Sequence, residues 1–191
     1  ELDKNNPGEA VEIVKVSGNE EFEIDAENGT NQNKIQIPDS LGADVTIKGS
    51  NKTKTKKPEL QVPDSGTGIE VNESDTIIKD LSIKGPSNNT GTAIDVSNSD
   101  TTIENVEVGS GSAPDTGVVV DGSGSSGASN CTITGNSITV NPTAAVEIKN
   151  GSSNNVIEDN SLKTAGNASG GAGVLIKNAG GGNLIALNDI N

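Results

Sequence analysis

The chain lacks most of the residues that do protein chemistry. Of its 191 residues none is His, Trp, Tyr or Met, Phe22 is the one aromatic, Cys131 the one cysteine, and every basic residue is a Lys. Without His, general acid–base work falls to carboxylates or Lys, and a nucleophile has no imidazole to activate it. Without Tyr or Trp, a sugar ring has no aromatic platform to stack on. A single cysteine excludes an intrachain disulfide. Cations are outnumbered, with 13 Lys against 27 acidic residues, and the net charge of -14 disfavours nucleic acid and anionic membrane as partners. No heptad and no 18-residue apolar run occurs, so neither a coiled coil nor membrane insertion is supported.

Hydrophobic residues make up only 30% of the chain. Taken alone, that figure and the acidic charge point to disorder. Periodicity decides against it. The apolar residues are mostly Ile and Val, set at alternate positions in short runs bounded by Gly, Asn, Ser and Asp, which is strand chemistry. Ile69-Glu70-Val71, Ile94-Asp95-Val96, Val118-Val119-Val120, Val146-Glu147-Ile148 and Val174-Leu175-Ile176 repeat one short strand at about 24 to 28 residues. After each comes a polar turn and a second module, Ile78 to Ile83, Ile103 to Val108, Ile133 to Ile138, Ile157 to Leu162 and Ile185 to Ile190, always five positions apart. A repeat this short cannot enclose a core of its own. It becomes stable by stacking on copies of itself.

The same beat runs less cleanly through the first half, as Val11-Glu12-Ile13 and Ile35-Gln36-Ile37, with a Lys-rich excursion before Leu60-Gln61-Val62. The expected organisation is a single domain, 1–191, with irregular N-terminal coils over 1–67, a Lys-rich loop at 51–59 and regular coils over 68–191. The count is about seven coils of three short strands each, roughly 30 Å along the axis. Insertions at 86–91, 109–117, 141–143 and 165–173 all fall at one corner, after the second module, where they leave the core untouched.

The unit Asn155-Val156-Ile157-Glu158-Asp159-Asn160-Ser161-Leu162, repeated as Asn183 to Ile190, resembles the right-handed parallel β-helix superfamily, the pectin lyase-like fold. The likeness covers residues 68–191 well and 9–67 loosely. It implies an all-β, right-handed parallel β-helix. It also implies polysaccharide lyases and hydrolases among the relatives, which pair carboxylate-bound calcium with a basic residue, or several Asp with a His. This chain has no Arg and no His for either arrangement, so it is expected not to be an enzyme.

A column of acids remains. Glu70 and Asp95 hold the middle, outward position of adjacent strands and should stack about 5 Å apart, the separation of a retaining glycosidase pair. Val119, Glu147 and Leu175 continue and interrupt that column, so a solvated face is preferred to a catalytic one. Calcium bridging Glu70 and Asp95 is the one cofactor the pattern suggests. Asn136, Asn160 and Asn188 share the fourth position of the second module and read as an amide ladder across coils. Cys131 stands where other coils carry Thr76, Thr101, Asn155 and Asn183, and reads as a small buried thiol.

Asn28, Asn51, Asn72, Asn88, Asn130, Asn150 and Asn167 fit the Asn-x-Ser/Thr acceptor pattern. Asn130, next to Cys131, is the weakest of them. Covalent glycans on the rest follow if the chain is exported through a glycosylating route. Glu1 is not a start methionine, so the chain reads as a processed export or an expressed segment. An extracellular or cell-surface location suits the acidic, Gly- and Asn-rich composition and the lack of oxidisable side chains.

The ends carry the remaining functional expectation. Leu184, Ile185, Leu187 and Ile190 belong to a full repeat with no polar cap beyond it, and strand pattern begins at once with Val11 and Ile13. Open coils at both ends predict a head-to-tail homopolymer: a structural protein of an extracellular filament, sheath or surface layer. Three other readings stay open on sequence: a capless piece of a longer β-helix, a carbohydrate-binding or degenerate polysaccharide-lyase-like module, and an engineered scaffold.

Overall fold

The computed structural model of the chain describes residues 11–12, 20–25, 35–37, 44–50, 57–64, 66–124, 127–165 and 171–191. Strands open at β1 (Val11–Glu12) and β2 (Glu20–Asp25), followed by β3 (Ile35–Ile37), β4 (Val45–Ser50) and β5 (Glu59–Gln61). Regular triplets follow. They are β6 (Thr67–Val71), β7 (Thr76–Lys79) and β8 (Ser82–Lys84), then β9 (Thr92–Val96), β10 (Thr102–Glu104) and β11 (Glu107–Val108). Next come β12 (Thr116–Asp121), β13 (Thr132–Thr134) and β14 (Ser137–Val140), and β15 (Ala144–Lys149), β16 (Val156–Glu158) and β17 (Ser161–Thr164). The last triplet is β18 (Ala172–Lys177), β19 (Leu184–Ala186) and β20 (Asp189–Ile190).

Each strand pairs in parallel with its equivalent one coil on, three strands later from β3 onward, which builds three sheets. The first runs β1-β3-β6-β9-β12-β15-β18, the second β2-β4-β7-β10-β13-β16-β19, and the third β5-β8-β11-β14-β17-β20. Register is strict, as in Ile69, Ile94, Val118, Val146 and Val174 of the first sheet. A parallel β-solenoid with three strands per coil is therefore present, as expected. The coil count is corrected: about five regular coils run from β6 to β20, before which β3, β4 and β5 form one row against β6, β7 and β8, and β1 and β2 an incomplete one. Counting apolar beats overestimated the number because β1 and β2 have no third-sheet partner among the described residues.

Two apolar columns from the first sheet, Ile69 to Val146 and Val71 to Ile148, and one from each of the other two fill the narrow interior. Ile78, Ile103, Ile133 and Ile157 come from the second sheet and Ile83, Val108, Ile138 and Leu162 from the third, all buried. β-branched side chains suit this place because their few rotamers stack on identical neighbours without loss of freedom. Two single-residue bends per coil set the triangular path. The first is Asp75, Asp100, Asn130, Asn154 or Gly182, the second Asp80, Asn105, Gly135, Asp159 or Leu187, and all ten have positive φ. Asp, Asn and Gly hold nine of the ten positions, being the residues that tolerate the left-handed region. The second bend also explains why the two apolar residues of the second module, five apart, lie in different sheets.

Insertions at 85–91, 109–115, 141–143 and 165–171 do fall at the corner between the third and first sheets. A further insertion, 122–131, opens a different corner, between the first and second sheets, and the repeat spacing did not single it out.

Candidate functional site

Each coil from β6 to β17 places a buried residue directly after each left-handed bend; in the later coils that residue is Asn, and in the last coil the Asn is half-buried. Asn136, Asn160 and Asn188 form the ladder expected from the repeat. The backbone N–H and Nδ2 of Asn136 both donate to Asn160 Oδ1, at 2.9 and 3.0 Å. Those of Asn160 donate in the same way to Asn188 Oδ1, at 3.1 and 2.9 Å. Each side chain also reaches back: Nδ2 of Asn136, Asn160 and Asn188 donates to the carbonyls of Ile103, Ile133 and Ile157 at 2.9, 2.8 and 2.8 Å. A polar side chain is thereby fully satisfied inside an apolar stack.

A second ladder follows the first bend, and sequence reasoning missed it. Cys131 N–H donates to Asn155 Oδ1 at 2.9 Å, while Asn155 N–H and Nδ2 donate to Asn183 Oδ1 at 3.1 and 2.9 Å. Its column holds Thr76, Thr101 and Cys131 in the earlier coils, so only two Asn mark it. Cys131 is buried as expected, and burial pushes its thiol up to about 11, which makes it an inert filler.

In both ladders the later coil supplies the acceptor for the earlier one. At the final coil, among the described residues, no side chain follows to accept from the backbone N–H groups of Asn183 and Asn188. Apolar groups are left over on the same face. Ile176 is 51% exposed, Leu184 51%, Ile185 39%, Leu187 79% and Ile190 55%, whereas Ile148, Ile157 and Leu162, one coil earlier beneath Ile176, Ile185 and Ile190, are 0% exposed. The predicted assembly residues Leu184, Ile185, Leu187 and Ile190 thus share one exposed surface. Of the opposite pair, Val11 lies in β1, opposite Ile35, and Ile13 lies outside the described residues.

Glu70 and Asp95 are register neighbours on the first sheet, as the spacing predicted, and Val119 and Glu147 continue their column. Asn72 Nδ2 donates to Glu70 Oε1 at 3.3 Å. Among the described residues no group of three or more His, Cys, Asp or Glu could hold a metal ion, so the two carboxylates stand as a pair. Glu147 pairs instead with Lys177, Nζ to Oε1 2.9 Å. Of the sequon positions, Asn88, Asn130 and Asn150 are exposed, and Asn72 is half-buried. Asn28, Asn51 and Asn167 lie outside the described residues. From the Lys-rich loop, Lys57 reaches two coils forward, and its Nζ donates to the carbonyl and Oδ1 of Asn105 at 2.6 and 2.9 Å.

Asp121 is the carboxylate most altered by its surroundings. Burial raises its pKa, but hydrogen bonds from Asn150 Nδ2 (2.9 Å) and the Ser123 N–H (2.8 Å), together with Lys149 at 3.2 Å, outweigh that and hold it at about 2. A depressed folded-state pKa contributes stability that is present above the unfolded value near 4 and is lost as pH falls through 2. Urea midpoints of the wild type should therefore fall between pH 4 and pH 2 more steeply than those of Asp121→Asn. Parallel pH curves for the two proteins would contradict this account.

A family model described as the right handed beta helix region matches residues 39–191. The chain belongs to that family. The match supplies the hand of the solenoid, which is also the one that parallel crossovers adopt. It fixes the architecture of this right-handed β-helix and assigns no activity. Comparison with curated proteins and with solved structures found no match.

Proposed function

We propose that this right-handed β-helix is a non-enzymatic structural protein that associates with itself end to end, coil on coil, to build an extracellular filament, sheath or surface layer. The observation that carries the reading is the coil at 172–190, where the core-column residues Ile176, Ile185 and Ile190 are left between 39% and 55% exposed. An apolar sheet end with unpaired ladder groups is a template for another coil, because backbone pairing and apolar burial are both recovered there. The donors left over by both Asn ladders add direction, since only acceptors placed at one register complete them. Absence of His, Arg, Tyr and Trp removes the usual equipment for turning over or stacking on a polysaccharide.

Sedimentation velocity across a hundredfold concentration range, with negative-stain images of the same samples, tests the proposal. Species growing in steps of one chain, and rods of uniform width, are expected. A protein that stays monomeric at the highest concentration would remove the polymer.

A further inference from the structure

We infer that Asn88 is an acceptor for an N-linked oligosaccharide, and that of the four described Asn-x-Ser/Thr sites it is the one the folded chain can offer to a transferring enzyme. Neither end of the solenoid enters into it. Asn88 lies in the corner insertion at 85–91, between β8 and β9. There the Asn89 N–H donates to the Pro86 carbonyl at 3.1 Å and closes a turn that stands clear of the three sheet faces.

Accessibility separates this site from Asn72, Asn130 and Asn150. The acceptor pattern is read at its first and third positions, so the whole tripeptide has to be reachable. Ser87, Asn88, Asn89 and Thr90 are all exposed, a longer exposed run than in any other described segment. At Asn150 the third residue, Ser152, is 1% exposed, and its hydroxyl is engaged by the Val120 and Lys149 carbonyls at 2.9 and 2.7 Å. At Asn130 the second residue is Cys131, 1% exposed, and at Asn72 it is Glu73, 7% exposed.

The amide nitrogens are also held differently. Nδ2 of Asn72, Asn130 and Asn150 donates to a carboxylate in each case, Glu70, Asp100 and Asp121, at 3.3, 3.3 and 2.9 Å. Asn88 Nδ2 donates to a neutral group, the Asp64 carbonyl, at 2.9 Å. A bond to an ionised acceptor is the stronger kind, so Asn88 is the most easily released of the four. The Thr90 N–H donates to Asn88 Oδ1 at 3.2 Å, and the Thr90 hydroxyl lies 2.7 Å from both that oxygen and the Asp64 carbonyl, its one proton serving either. Donors on Oδ1 draw electron density to the oxygen and favour the form that gives up a nitrogen proton. The co-substrate is an oligosaccharide carried on a polyprenyl diphosphate. Transfer forms a bond from Asn88 Nδ2 to C1 of the first sugar and breaks the bond from C1 to the phosphate oxygen; the polyprenyl diphosphate departs and one amide proton is released. The product is a secondary amide that keeps one N–H.

Transfer in vitro tests it. The purified folded chain is incubated with a single-subunit oligosaccharyltransferase of plain Asn-x-Ser/Thr specificity and an N-acetylglucosamine disaccharide linked to polyprenyl diphosphate. Proteolytic peptides of the same chain are treated in parallel, and occupancy is read site by site by mass spectrometry. A site that must open before it can bind is penalised by its opening free energy, so the ratio of folded to peptide occupancy should be about tenfold or more lower at Asn72, Asn130 and Asn150 than at Asn88. Asn88→Gln should abolish transfer to the folded turn and leave the urea midpoint unchanged, while Thr90→Ser, which keeps the hydroxyl, should retain it. No transfer to Asn88 in the folded chain overturns the assignment. An equal ratio at any of the other three sites overturns it as well, and either result leaves end-to-end assembly standing.

Discussion

Asn160→Ala should lower the unfolding free energy by about 4 kcal/mol, because it leaves the buried Asn136 N–H without a partner, at about 1–3 kcal/mol, and removes further side-chain hydrogen bonds worth about 1 kcal/mol each. Asn160 is 2% exposed and occupies the middle of its ladder. Truncation removes the acceptor of the Asn136 N–H and Nδ2 and the donor to the Ile133 carbonyl. Asn136 Nδ2 keeps its bond to the Ile103 carbonyl, and the Ile133 carbonyl keeps its place in the β13–β16 ladder, so the group left wanting is the Asn136 N–H. For a chain of this length the loss corresponds to a fall in Tm of roughly 10 °C. Asn160→Asp is the informative companion. It keeps an acceptor for Asn136 but loses the donor and buries a charge, so it should be no more stable than the Ala variant. Asn188→Ala, at the exposed end of the same ladder, should cost well under half as much. Thermal unfolding followed by far-UV circular dichroism checks all three. If Asn160→Ala costs less than 1 kcal/mol, the ladder is ornament and the stack rests on Ile and Val alone.

Sequence made the fold and the first ladder legible for one reason. In a chain this polar, Ile and Val can be buried only by alternation, and an Asn recurring at a fixed offset inside the alternation has to be satisfied by its own copies. Glu70 and Asp95 were placed in adjacent rows by the same logic, since the middle of a three-residue strand must point outward. What stayed hidden was either mixed in type or remote in sequence. The second ladder is diluted by Thr76, Thr101 and Cys131, so Asn155 and Asn183 do not announce it. The bends alternate among Asp, Asn and Gly, which read one by one as ordinary turn residues. Leu187 was legible as apolar but not as left-handed, because that follows from its column and not from its neighbours. The Lys57 contact with Asn105 spans 48 residues, beyond any local pattern. Coil number was overcounted for a related reason: an apolar beat marks where a strand could lie, while a coil needs three sheets to accept it.

Ile133→Ala should cost about 4 kcal/mol, near the upper part of the range for a fully buried aliphatic truncation. Ile133 is 1% exposed and lies between Ile103 and Ile157 in its column, so the lost methyl groups open a void against a neighbour on each side. The stack has little means of closing that void, because sliding a coil inward would break the parallel ladders of three sheets. Ile185→Ala makes the same chemical change in the same column, but Ile185 is 39% exposed and lies on Ile157 alone. With a neighbour on one side only, its cost to the monomer should be about 1–2 kcal/mol. The missing part of the difference is what the proposed junction would recover. If a second coil covers this face, Ile185→Ala should weaken association about tenfold or more, since an apolar group that is half free in the monomer becomes fully buried between copies. Ile133→Ala should instead lower Tm and leave the association constant of the folded protein within about twofold. Urea unfolding at low concentration reads the first quantity and sedimentation equilibrium the second. Equal costs for the two variants in dilute monomer would mean that the last coil is already covered by its own chain.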